Sequence, residues 1–305
     1  MLVVGDLNPD LVVGGDVVPR FGQAEQLLEH AIWTVGGSAA ITAHGFARLG
    51  RPVSLVAAVG KDVFGARVVA ELAAASVEVD HVLERADQPT GLTIVLCHGD
   101  DRAMLTLPGA IATLAAGEVL DTVAATTDLQ HVHVASMFLV PMAGNLAQVL
   151  GAARQRGLTV SLDTNDDPSG AWRGVHEVLP LVDVLLPNRS EALALGGGDD
   201  VETAARRLAE QGPLVVVKDG AAGALAVTRD GAVARVAAPL APAVVDTTGA
   251  GDTFDAAFLD SWLAGLPLTT CLARAAHAGA RAVSAVGGTT AQPTRADLDR
   301  IGDPQ

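Results

Sequence analysis

The strongest constraint on the fold is a unit that recurs along the chain. A short apolar run ends in a polar or glycine-bearing bend, and helical spacing follows. Leu2 to Val4, Pro52 to Gly60, Leu129 to Ser136, Leu158 to Asp163, Asp183 to Leu186 and Leu214 to Lys218 read as buried strands. Helical patterns lie between them, for example about Ala143 to Arg156 and Glu202 to Gln211. Repeated strand-then-helix units imply parallel strands joined by right-handed crossovers. Ligands of such sheets bind beyond the C-terminal strand ends. Asp10, Asp163, Asn188, Lys218 and Asp246 all follow or end expected strands, which predicts one site at one sheet edge. His131 and His133 share a face of their strand and have no third ligand in view, so they read as packed strand residues.

One stretch carries the chemistry. Ala243-Val-Val-Asp246-Thr-Thr248-Gly249-Ala250-Gly251-Asp252 leads into Phe254, Phe258 and Trp262, spaced i, i+4, i+8 on one helical face. The glycines therefore sit where a helix begins. A helix start has N–H groups without partners and partial positive charge, and glycines let an anion approach them closely. Asp252 falls in that first turn, where an acid can also serve only to stabilise the helix dipole. Phosphoryl transfer needs an anion cradle and a carboxylate together: donors for the transferring group and a base for the attacking hydroxyl.

Asp246-Thr-Thr-Gly-Ala-Gly-Asp252-Thr-Phe resembles the C-terminal signature of the ribokinase-like (PfkB) family of sugar kinases. Gly36-Gly37-Ser-Ala-Ala-Ile-Thr-Ala-His-Gly-Phe-Ala-Arg-Leu-Gly50 resembles the N-terminal one. Gly60-Lys-Asp62-Val-Phe-Gly65 matches a G-x-D-x-x-G pattern of the family, and its spacing is not that of a P-loop. Asp62 reads as a helix N-cap. Asn188-Arg-Ser-Glu191 matches the N-x-x-E motif, which can orient hydrated Mg²⁺ or cap a helix. The resemblance covers nearly the whole chain. It implies a three-layer α/β/α core with a mostly parallel sheet, in one domain over residues 1–305. It also implies a small β lid from about 11–32 and 88–108, closing over the site.

By the same resemblance, Asp252 is the base that takes a proton from a sugar hydroxymethyl group, and the Gly249, Ala250, Gly251 and Asp252 amides form the anion hole. Asp10 contacts sugar hydroxyls, with Gly36 and Gly37 beside it. The Asp6 to Asp10 segment alone could equally be turn chemistry. The implied cofactors are ATP and Mg²⁺. Glu191 would hold Mg²⁺ through water beside Asn188. Lys218 would aid phosphate binding, the Gly220 and Gly223 turn would lie along the nucleotide, and His277 would sit near adenine. Asp246 and Thr248 match positions near a monovalent cation such as K⁺. Where the family usually has Asn, this chain has Ile41 and Ile111, so no particular sugar is assigned. A nucleoside or a sugar phosphate as acceptor, and a sugar- or nucleotide-binding regulator without turnover, are the rival readings. Phe21 and Trp33 are the aromatic residues open to a nucleoside in the lid, and Arg20 and Arg102 the cations open to a sugar phosphate.

Composition sets outer limits. The formal net charge of −15 argues against nucleic acid and anionic membranes as partners. No run approaches about 18 uncharged apolar residues, and the N-terminus lacks a basic-then-apolar pattern. A soluble, cytoplasmic protein is expected. The two cysteines, Cys97 and Cys271, read as free thiols. The expected partners are a small sugar, ATP and, through the lid, a second copy of the chain.

Overall fold

The computed structural model describes residues 1–98, 101–141, 144–241 and 243–301. Strands form where apolar residues can alternate between two covered faces. In β1 (Leu2–Val4), Leu2 and Val4 face one core and Val3 faces the other. The chain then runs β2 (Asn8–Gly15), β3 (Leu28–Gly36), α1 (Ser38–Arg48), β4 (Ser54–Gly60), α2 (Val63–Ala74) and β5 (Val82–Arg85). Next come β6 (Leu92–His98), β7 (Asp101–Leu107), α3 (Ala116–Ala125), β8 (His131–Val134), α4 (Leu146–Gln155) and β9 (Thr159–Leu162). Then follow α5 (Val175–Val178), β10 (Val184–Leu185), α6 (Arg189–Gly196), α7 (Val201–Ala209), β11 (Leu214–Lys218), β12 (Ala224–Val227) and β13 (Val233–Val236). The chain closes with α8 (Ala250–Leu263), α9 (Leu268–Ala282) and α10 (Arg295–Leu298).

Among the described residues there is a nine-stranded sheet in the order β13-β12-β11-β10-β9-β8-β1-β4-β5. Neighbours from β11 across to β5 are parallel, and β12 and β13 are antiparallel at one edge. One core lies under α3, α4, α6 and α7, the other under α1, α2, α8 and α9. Each fully buried Val or Leu stabilises this stack by roughly 1.5–3 kcal/mol. The expected three-layer α/β class is the observed one.

The lid is a second, four-stranded sheet, β3-β2-β6-β7. Each excursion is an antiparallel hairpin, and a parallel β2·β6 pair joins them. That parallel pair is not legible from the hairpin patterns alone. The tip of the second hairpin, at residues 99–100, lies outside the described residues, as do the expected helix start at Ala143 and the end of the chain at residues 302–305.

Two expectations are corrected. Asp10 is expected in the bend that follows the first strand; it lies inside β2, on the lid. The apolar run before Asp246 was placed as a strand, but Val244 and Val245 are exposed and belong to no strand. Val245 N–H donates to the Val283 carbonyl, and the Val244 side chain lines a cleft instead of a sheet.

Candidate active site

The site is built on the start of α8. Gly249 has a left-handed φ of +71°, and a Cβ there would sit 2.5 Å from Gly288 Cα. Only glycine fits that turn without moving the backbone. Thr253 N–H donates to the Gly249 carbonyl, which starts the helix. Among the described residues the Ala250 N–H has one long contact, 3.4 Å to the Thr247 carbonyl. The N–H groups of Gly249, Gly251 and Asp252 have no partner there. The expected amide cradle is therefore available to an anion.

Asp252 points inward from this turn and is buried. α1 packs across α8 at Gly45, where an added Cβ would be 2.7 Å from the Ala256 methyl. This close crossing brings Ser38, the first residue of α1, to Asp252, and its hydroxyl donates a short hydrogen bond to Asp252 Oδ1. Asn165 Nδ2 donates to Ser38 Oγ at 3.1 Å, while Asn165 Oδ1 accepts from Ser136 N–H at 2.7 Å. Burial raises the Asp252 carboxyl to about 7; the Ser38 hydrogen bond opposes this, Asp163 adds to it, Lys218 opposes it and Asp6 adds to it. A carboxyl poised there can accept a proton near neutral pH.

The lid supplies Asp10. An added Cβ on Gly36 would lie 2.0 Å from Asp10 Oδ1, and one on Gly37 would lie 2.7 Å from the Asp6 carbonyl oxygen. Both signature glycines thus make room, Gly36 for a carboxylate and Gly37 for the backbone. Asn8 Nδ2 donates to Asp10 Oδ1 at 2.9 Å and to Thr93 Oγ1 at 3.3 Å. In strand register, Thr34, Asp10, Thr93 and Thr106 form one polar row across the lid. Burial raises Asp10 to about 7, and the charges of Asp6, Asp252 and Asp246 add to the rise. Asp10 and Asp252 therefore lie close enough for the Asp252 charge to act on Asp10.

Asp246 ties two turns together. Its Oδ1 accepts from Thr248 N–H at 2.9 Å and its Oδ2 from Gly287 N–H at 2.8 Å. Arg102 reaches over from β7 and donates to Thr248 Oγ1 at 3.2 Å. Ile41 sits beneath this junction: an added Cβ on Gly288 would meet its Cδ1 at 2.5 Å. Ile111 is fully buried in the core beside Gly91. Neither isoleucine offers the acceptor a hydrogen bond.

Beside the amide cradle opens a cleft of about 530 Å³. Lys218, Gly220, Gly223, Ala250 and Gly251 line it, with an apolar wall that includes Val244, Phe254 and Ala276. Such a cleft, apolar with amides at one end, suits a nucleotide. His277 is exposed and lines a smaller neighbouring cleft, not this one. Its Nδ1 lies 2.8 Å from the Ala273 carbonyl oxygen.

Lys218 lines the cleft but its ammonium is committed inward, to Asp163 Oδ2 at 2.7 Å and Asp255 Oδ2 at 3.0 Å. Asn188 bridges to Lys218 in strand fashion and caps α6. Glu191 Oε2 accepts from Asn188 N–H, and Asn188 Oδ1 accepts from Glu191 N–H. The N-x-x-E motif is thus a capping box, and burial together with Asp163 raises Glu191 to about 7. Sequence reasoning did not single out Ser38 or Asp255. Ser38 lies inside the N-terminal signature and Asp255 one residue beyond the C-terminal one, three residues after Asp252, so position alone could have flagged them.

The remaining sequence candidates have structural roles. His131 Nε2 and His133 Nδ1 lie 2.7 and 2.8 Å from Ser161 Oγ. Asp62 caps α2, accepting from Phe64 and Gly65 N–H. No helix among the described residues is long and apolar enough to cross a membrane.

Fold and site describe the class of lidded α/β phosphotransferases. The sequence model of the pfkB family carbohydrate kinases matches residues 3–295, and the chain belongs to that family. It is a carbohydrate kinase, an enzyme that phosphorylates an alcohol group. A ribokinase of Arabidopsis thaliana is 30% identical over 316 residues, covering 99% of this chain and 80% of the relative. A fructokinase of Klebsiella pneumoniae is 33% identical over 283 residues, covering 87% and 91%. The structure of Arabidopsis thaliana ribokinase complexed with ribose and ATP has a TM-score of 0.81 at 25% identity, over 98% of this chain and 97% of that one.

Proposed function

We propose that the chain transfers the γ-phosphoryl group of ATP to a hydroxymethyl group of a small neutral carbohydrate. The observation that carries this is the start of α8, where a buried carboxylate stands beside unpartnered amides at the mouth of an apolar cleft. Asp252 takes the hydroxyl proton as that oxygen bonds to phosphorus and the bond to the departing ADP oxygen breaks. The Gly249 to Asp252 amides receive the charge on the transferring group. Asp10 and the polar row beside it hold acceptor hydroxyls, and the lid keeps water out. Mg²⁺, when bound, would neutralise charge on the phosphates. Glu191 and Asn188 would hold its water shell, and a nearby dication would keep Glu191 ionised. Gly220 and Gly223 let the backbone run along the nucleotide. A monovalent cation between the Asp246 and Gly287 turns would draw on turn carbonyls, because both Asp246 oxygens already accept N–H groups.

The site's charge supports a neutral acceptor. Asp6, Asp246 and Asp252 all lie close enough for their charges to act on Asp10, which disfavours a sugar phosphate there. Arg20 pairs with Asp16, and Arg102 reaches Thr248 and lies near Asp246. A nucleoside would want a free aromatic face. Trp33 is covered by the Arg67 guanidinium at 3.7 Å, and Phe21 is 97% exposed. The lid also leaves Met104, Leu105 and Leu107 more than half exposed, and a second copy of the chain is the occupant proposed for them. ADP release over a panel of pentoses, hexoses, polyols, nucleosides and sugar phosphates tests the reading. A neutral sugar or polyol should give the highest kcat/KM. Preference for a nucleoside or a phosphorylated acceptor, or no turnover with any, would overturn it.

A further inference from the structure

Beneath the amide cradle lies a buried ionic cluster that the mechanism above does not use. Lys218 ends β11, Asp163 follows β9 two strands away, and Asp255 comes from α8. Asp255 is three residues beyond Asp252, on the same side of the helix. The ammonium of Lys218 holds both carboxylates, and an added Cβ on Gly251 would lie 3.6 Å from its Nζ. The cation therefore lies near the turn whose amides face the cleft. Asp163 and Asp255 are buried, Asp255 completely, and Asp255 Oδ1 has no partner among the described residues.

We infer that Lys218 is a positioning residue for phosphoryl transfer: clamped by Asp163 and Asp255, it fixes the first turn of α8 on the sheet and balances the charge around Asp252. This rests on the reading of Asp252 as the base. The groups that act on Asp252 are Ser38 from α1, Asp6 after β1, Asp163 after β9 and Lys218 from β11, and Asp10 on β2 shares a charge interaction with it. Four of these are acids or hydroxyls, and Lys218 is the cation among them. Lys218 in turn feels Asp163, Asp255 and Glu191. Burial raises Asp163, yet Lys218 overrides this and leaves its carboxyl below the usual range. Burial pushes Asp255 well up, and the Lys218 charge opposes that rise. A buried cation that loses its partners is left uncompensated, which is strongly destabilising.

The role predicts opposite effects from its two charged members. Removing the cation leaves Asp163 to repel charge on Asp252, so Asp252 binds its proton more tightly. Removing the Asp163 charge has the reverse effect. The test is the pH dependence of kcat/KM for the best acceptor in Lys218→Met, Asp163→Asn and the double variant. Lys218→Met should move the acid limb up by about one pH unit, Asp163→Asn should move it down, and the double variant should return it toward the parent. KM for ATP should change by less than about threefold, around 0.6 kcal/mol. If Lys218→Met does not fold, Asp163→Asn and the charge-balanced double variant carry the test. Acid limbs that stay put, or single variants that shift the same way, would overturn the role. So would a tenfold rise in KM for ATP at an unmoved limb, which is the mark of direct phosphate contact. Near-parental turnover in Asp252→Asn would instead sink the base assignment itself, so the two failures are separable.

Discussion

At the scale of single residues, the account depends on where carboxyls sit. Asp252 is held at about 7 chiefly by burial, and Asp10 lies in the same range with its charge nearby. An acid with a raised folded value is protonated below it, and a protonated Asp252 cannot take the acceptor's proton. Turnover should therefore be lost as pH falls through about 7, with kcat/KM dropping toward tenfold per unit. A profile flat to pH 5 would contradict this. Gly36 gives a second residue-scale test. Its missing side chain is the space that the Asp10 carboxylate occupies, at 2.0 Å from an added Cβ. Gly36→Ala should displace Asp10 and raise KM for the acceptor by about tenfold or more, roughly 1.4 kcal/mol, with KM for ATP little changed. Both residues could be singled out from the signatures. Asp163 and Lys218 are legible as residues of the same sheet edge, but their ion pair is not, because it depends on the order of the strands.

At the scale of elements, local chemistry and tertiary position divide cleanly. Asp62 reads as a cap from its spacing, and it caps α2 by accepting from Phe64 and Gly65 N–H. It also accepts from Thr90 N–H at 2.8 Å and so joins α2 to the approach of the lid. Asp62→Ala should cost about 1 kcal/mol or somewhat more, seen as a lower thermal midpoint, while kcat stays near parental. A fall in kcat without loss of stability would show that the Thr90 contact matters to closure. The strands β8, β9 and β11 were legible because their apolar runs are short and bounded. The run Ala243-Val244-Val245 misled for the same reason. Its hydrophobicity serves a cleft wall, and period alone cannot separate a wall from a strand. The β2·β6 pair was hidden for another reason. Each hairpin announces its own antiparallel partner, but no local signal tells two hairpins how to meet.

At the scale of the whole molecule, segments far apart in the chain are tied to α8 through Asp260. Asp260 is fully buried and accepts from Arg51, just beyond α1, and from Arg295 in α10. Removing it would leave two guanidinium groups partly buried without their partner. Asp260→Ala should cost on the order of 3 kcal/mol and lower the thermal midpoint by several degrees, with activity per folded molecule largely kept. A change under about 0.5 kcal/mol would show that the arginines find other partners. The central claim concerns Asp252 and is tested most directly by Asp252→Asn, which keeps the shape of the side chain and its place beside Ser38 but removes the proton acceptor. Steady-state phosphorylation of the best acceptor should show kcat lower by about a thousandfold, with KM for ATP within a few-fold of the parent. A variant with kcat within about tenfold of the parent would contradict the account.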